Sequence, residues 1–120
     1  VNALPFCAYD PKKVVQVAKG AESDDGHIRS VVGADGFARP SYFITEKLAM
    51  FVEKGPEYCW NTKFMKDLRF LRLVPDDCMR CPYLKLCKGG SRFVAYLVSG
   101  KYNAADPLAV PKNVKWLSHE

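Results

Sequence analysis

The sequence has no long hydrophobic run, no internal repeat, no low-complexity tract and only two histidines. Its longest apolar runs, such as FVAYLV at residues 93–98, fall far short of the roughly 20 residues that a membrane-spanning helix needs. The chain begins at Val1 without a charged leader followed by an apolar stretch, so a soluble protein is expected, cut from a longer polypeptide. No glycine-rich nucleotide loop of recognisable form is present. The cysteines lack the even distribution of a secreted disulfide framework: there are five, an odd count, and three of them fall within residues 78–87. A reducing cytoplasm and metal ligation are the expectation that this spacing supports.

What is present suffices for one modest core. The chain has 120 residues, 48% of them hydrophobic and 12% aromatic, so a single small domain is expected. Its formal net charge of +5 is unevenly spread. Residues 1–58 carry seven Lys and Arg against eight Asp and Glu, whereas residues 59–120 carry eleven against five. The basic half is the cysteine half. Such a field suits nucleic acid, an anionic substrate or a net negative thiolate–metal centre.

Periodicity and breakers place the elements. VNALPFCAYD reads as an extended opening segment, and Asp10-Pro11 as the start of a helix over PKKVVQVAK that Gly20 stops. HIRSVVGADGFARPSYFI predicts two strands around the turn Asp35-Gly36. TEKLAMFVEKG predicts a short helix capped by Thr45 and closed by Gly55-Pro56. From Glu57 to about Val74, Trp60, Phe64, Leu68 and Leu71 recur at helical spacing, and Pro75 ends the pattern. After the cysteine loop, SRFVAYLVSG predicts a helix that buries Phe93, Val94, Leu97 and Val98 and ends at Gly100. The remaining tail reads as irregular, with Trp116 docking back. The fold class is therefore α+β: a β-hairpin followed by helices around a cysteine-rich loop.

The chemistry concentrates in CMRCPYLKLCKGGSRF, residues 78–93. Cys78 and Cys81 are two residues apart, a spacing that lets one turn aim both sulfurs at a single centre, and Cys87 follows. Iron–sulfur clusters and structural zinc both take thiolates from such turns and normally use four ligands. Cys7 and Cys59 are the only cysteines left to complete the set. A redox dithiol would need a strand before a helix start, which does not precede Cys78. Gly89 and Gly90, lacking side chains, can bring backbone N–H groups close to sulfur; an ordinary loop into the helix at Ser91 accounts for them equally well.

The order of these pieces resembles the SPASM or twitch domain, the C-terminal auxiliary-cluster domain of radical SAM enzymes. The similarity runs from PFC through GADGFARPSYF, CWNTKFMKDLR and CMRCPYLKLCKGGSRFVA to ADPLA. In that family a leading cysteine precedes a hairpin of type D-G-x-x-x-P-C, a helix start containing I-W, a C-x2-C-x5-C-x3-C segment and a closing D-P-x-C. Here Cys7, Cys78, Cys81 and Cys87 match, whereas Ser41, Ser91 and Ala109 stand where the family has cysteine. The resemblance implies at most one four-iron, four-sulfur cluster, closer to the twitch type, with Cys7 as its fourth ligand and Cys59 as a small core residue. It further implies a radical SAM barrel earlier in the same chain, where S-adenosylmethionine would bind, and a peptide or protein substrate. The C-x3-C-x2-C loop of that chemistry is absent here, so this portion alone is expected neither to bind S-adenosylmethionine nor to catalyse. The other readings are a zinc-binding module contacting nucleic acid or protein, and a metal-free interaction domain.

Several further residues were weighed. His27 and His119 read as ordinary exposed side chains. Asp76-Asp77 reads as a solvated turn or cap. Lys63, Lys66, Arg69 and Arg72 read as a solvated helix series with nucleic acid as the sharper alternative. Arg92 reads either as a charge that neutralises a metal site or as a surface cap partner.

Overall fold

A computed structural model describes residues 5–8 and 26–110. The expected helix over residues 11–19, Trp116 and His119 lie outside the described residues. Within them the architecture is small α+β, one two-stranded antiparallel sheet and five short helices. The described chain divides into two compact units: residues 26–72 make one, and residues 5–8 with 73–110 make the other.

In the first of these, β1 (Val31–Val32) pairs with β2 (Ala38–Arg39) in the register Val31 to Arg39 and Val32 to Ala38. The turn falls at Asp35-Gly36 as the sequence predicts. Asp35 fixes it by accepting from the Phe37 amide at 3.1 Å and by pairing with Arg39 at 2.8 Å. The ladder is shorter than expected because its next partner is not the hairpin itself. Leu48 donates to the Ala38 carbonyl, Ala38 donates to the Ala49 carbonyl, and Phe37 bridges Met50.

That pairing corrects the helix expected from Thr45. Residues 44–49 stay irregular because their backbone groups serve β2, and α1 (Phe51–Trp60) begins six residues later. Gly55, at φ +83°, breaks α1 in the middle, and Pro56 restarts it at once, since its fixed φ suits a first helical turn. The long helix expected from Glu57 to Val74 is likewise two pieces. Asn61-Thr62 interrupts it, α2 (Lys63–Arg69) follows, and Leu71 turns left-handed at φ +58°. Ile44, Met65, Leu68, Ala38 and Cys59 form this unit's interior. Burying Ile44 and Met65 contributes about 1.5–3 kcal/mol each.

The second unit holds α3 (Asp76–Met79), α4 (Leu84–Cys87) and α5 (Arg92–Ser99). Ser91 caps α5 by accepting from the Val94 amide at 3.1 Å, and Gly100 ends it at φ +79°. Both ends match the sequence reading. The buried face does not: Arg92 and Ala95 are inside, whereas Leu97 and Val98 are 64% and 70% exposed. The interior here includes Pro5, Val74, Cys87 and Ala95, small residues beside the buried polar side chains Arg92 and Asp106.

Candidate metal centre

Cys78 sits within α3, Cys81 two residues beyond its end, and Cys87 at the last position of α4. Two one-turn helices joined by residues 80–83 thus hold all three thiols. The turns are closed by backbone bonds, from Cys81 to the Cys78 carbonyl and from Cys87 to the Tyr83 carbonyl. Cys7 arrives from the other end of the chain. Cys7, Cys78, Cys81 and Cys87 all line one mainly apolar pocket with Pro5, Phe6, Asp77, Leu84, Gly89 and Ala109. All of its lining residues belong to the second unit.

Cys59 is not among the lining residues. It is 2% exposed and belongs to the interior of the other unit, with the Ala49 carbonyl 4.0 Å from its Sγ. Its reading as a core cysteine fits this placement. None of the five cysteines, all of them among the described residues, forms a disulfide.

Two backbone amides point at sulfur. Phe6 donates to Cys87 Sγ at 3.4 Å and Val110 to Cys7 Sγ at 3.2 Å. Burial pushes the Cys87 thiol up, while the amides of Phe6, Gly90 and Gly89 draw it down. Gly90 is at φ +77°, and a Cβ there would lie 2.7 Å from Asp106 Oδ2 and 2.8 Å from Pro5 Cγ. Burial also raises Cys7, and it pushes Cys78 up to about 11 against an opposing pull from Arg92. Left as thiols, these groups stay protonated near neutral pH. A bound cation would have to displace the protons, as thiolate centres do.

The donor set therefore suits a thiolate-bound inorganic centre. Its room is small: the cavity volume is about 30 Å³, enough to hold at least one water molecule. A cluster would push the thiols outward. Among the described residues no three His, Cys, Asp or Glu side chains stand together as ligands of one metal ion. The four thiols share a pocket without being drawn onto a single point.

The positions where the resemblance expects cysteine are accounted for individually. Ser41 is buried, and its Oγ accepts from the Phe43 and Ile44 amides, both at 3.2 Å, within the hairpin unit. Ser91 is the cap of α5. Ala109 lines the thiol pocket, next to the Val110 amide that meets Cys7.

Asp106 was not singled out by sequence reasoning as a site residue, yet it is 3% exposed and ties the pocket together. Its Oδ2 accepts from the Ser91 amide at 2.8 Å and its Oδ1 from the Leu108 amide at 2.9 Å. The signal was Asp-Pro before a turn, which favours such local bonds. Asp76 and Asp77 are exposed in the first turn of α3, as the solvated-turn reading expects, while the cap position is Pro75 and carries no side-chain cap bond. Three of the four basic residues on and just after α2 make contacts within their own unit, although the Lys63 and Arg72 side chains stay mostly exposed. Lys63 and Arg72 pair with Asp67 at 2.7 and 3.2 Å, and Arg69 covers the Trp60 ring at 4.3 Å while donating to the Gly26 and Trp60 carbonyls.

Comparison with protein-family models, with curated proteins and with solved structures yields no match. Among the described residues no helix is long and apolar enough to cross a membrane.

Proposed function

We propose that this chain is an auxiliary iron–sulfur domain of the SPASM or twitch kind, held by Cys7, Cys78, Cys81 and Cys87. The observation that carries this reading is the convergence of those four thiols, and not Cys59, on one pocket. Phe6 and Val110 supply N–H donors to two of the sulfurs, an arrangement that stabilises thiolate charge and tunes a centre's potential. When bound, a four-iron, four-sulfur cluster would supply one-electron chemistry or a substrate contact.

The chain's own part is to hold and electrostatically frame that centre. Three ligands come from a loop whose backbone turns are closed locally, and the fourth comes with Pro5 and Phe6. The pocket's lining is mainly apolar. On this reading the partners are a radical SAM barrel of the same chain, where S-adenosylmethionine binds, and a peptide or protein substrate, in a reducing cytoplasm. Of the basic series, Arg69 is held by the Gly26 and Trp60 carbonyls, which leaves it less free to meet a phosphate.

One observation favours a second reading. The free space of about 30 Å³ suits a single zinc ion better than a cluster before any side chain moves. Anaerobic reconstitution with ferrous iron and sulfide, run beside zinc loading, decides between them. About four irons per chain with broad visible absorption is expected. One tightly held zinc and no stable iron would replace the cluster by a structural ion, and no metal in either arm overturns both readings.

A further inference from the structure

Arg92 opens α5, yet its side chain does not reach solvent: the residue is 3% exposed. Its Nη1 donates to the carbonyls of Ala104 at 2.7 Å, Tyr102 at 2.8 Å and Leu73 at 3.2 Å, and its Nη2 donates to the Gly89 carbonyl. The buried Nε has no hydrogen-bond partner. Neutral carbonyls satisfy donors but leave the charge in place, and a guanidinium stays charged at any working pH.

A buried cation needs a negative partner. Arg92 makes no ion pair among the described residues, where the ion pairs to carboxylates are those of Asp35 and Asp67. Asp106 attracts it from beyond contact distance, with both carboxylate oxygens already bonded to the Ser91 and Leu108 amides. The other groups that act on its charge are Cys78 and Cys87. Uncharged thiols give it nothing. Thiolates on a metal would supply the missing negative charge, and Gly89, whose carbonyl accepts from Nη2, lines the same pocket as Cys78 and Cys87.

We infer that Arg92 is a positioning residue, the built-in counter-charge for an anionic inorganic centre held by Cys78 and Cys87. This rests on the reading of the thiol pocket as a metal site, and it adds a claim which that reading does not need: removing the charge weakens the centre while all four thiols remain. The opposing account makes Arg92 a staple for four carbonyls and nothing more.

The test uses the full chain, reconstituted anaerobically with ferrous iron and sulfide, in three forms: unaltered, Arg92→Lys and Arg92→Met. Loss of iron to a chelator and the reduction potential of the centre are measured for each. Arg92→Met is expected to lose iron about tenfold faster or more, the effect of one charge interaction worth a single pKa unit, and to shift the potential to more negative values. Arg92→Lys keeps the charge but not the fork, and is expected to stay within about threefold of the unaltered chain. Arg92→Met with unchanged iron loss and potential overturns the inference while leaving the metal site standing. Should Arg92→Met fail to fold, Arg92→Lys decides alone: retention of the centre supports the counter-charge, and its loss shows the carbonyl fork to be what matters. If the unaltered chain takes up no iron, the reading of the pocket falls first and the inference with it.

Discussion

The Val110 amide donates to Cys7 Sγ at 3.2 Å, joining two residues 103 positions apart in the chain. Position 109, beside that amide, lines the same pocket and carries only a methyl group. Cys7→Ala is therefore expected to speed loss of iron to a chelator by more than about tenfold. Adding Ala109→Cys to that variant is expected to recover much of the loss, because a thiol at 109 starts from the pocket wall. Cys59→Ala should leave iron content unchanged and cost about 1 kcal/mol in a denaturant titration, as a small cavity in the other unit's interior.

Two glycines with similar backbone angles should respond differently to alanine. Gly55, at φ +83°, has no atom within 4 Å of an added Cβ, so Gly55→Ala meets only backbone strain, about 1 kcal/mol. Gly90, at φ +77°, would also press on Asp106 and Pro5. Gly90→Ala should cost about 2–3 kcal/mol and reduce iron retention as well. Urea unfolding with parallel iron analysis separates the two.

Asp67 should make stability depend on acid. The Lys63 hydrogen bond, then the Arg72 contact, hold its carboxyl below the usual range against burial, so folding favours the carboxylate. Its contribution is complete above the unfolded-state value of about 3.9 and is lost as pH falls through the lower folded value. Asp67→Asn should cost about 1 kcal/mol at pH 7, since Lys63 is exposed and solvent screens the pair. The gap between the two urea midpoints should close at the acid end of that range.

On α5, exposure and not hydrophobicity should set the outcome. Leu97→Lys is expected to change stability by no more than about 0.5 kcal/mol. Ala95→Leu, at a residue with 0% exposure, should cost about 1–3 kcal/mol by overpacking. Thermal unfolding of the two variants checks the assignment of the inward face.

The local signals were legible where the residues concerned also decide the structure. Asp35-Gly36 makes its own turn, and Ser91 and Gly100 make their own helix ends. Residues 45–49 misled because a helical pattern there competes with amide groups of β2 that pair with Leu48 and Ala49. On α5 the apolar stripe suggested an inward face, but the guanidinium of Arg92 finds four carbonyls inside, and Leu97 and Val98 turn outward. The local cysteine set was visible in its spacing. The choice between Cys7 and Cys59 was not, because nothing nearby in sequence ties either to residue 78; only the packing of Pro5 and Phe6 against the pocket does.

That discontinuity sets an order of events during synthesis. Cys7 leaves the ribosome about seventy residues before Cys78, or about 4–14 s at 5–20 residues per second. Throughout that interval its sulfur lacks the three thiols of residues 78–87 and is open to oxidants and scavenged ions. A delivery system for the inorganic guest can meet all four thiols only after Cys87 has been made, so the timing of loading is written into the distance between Cys7 and the other three.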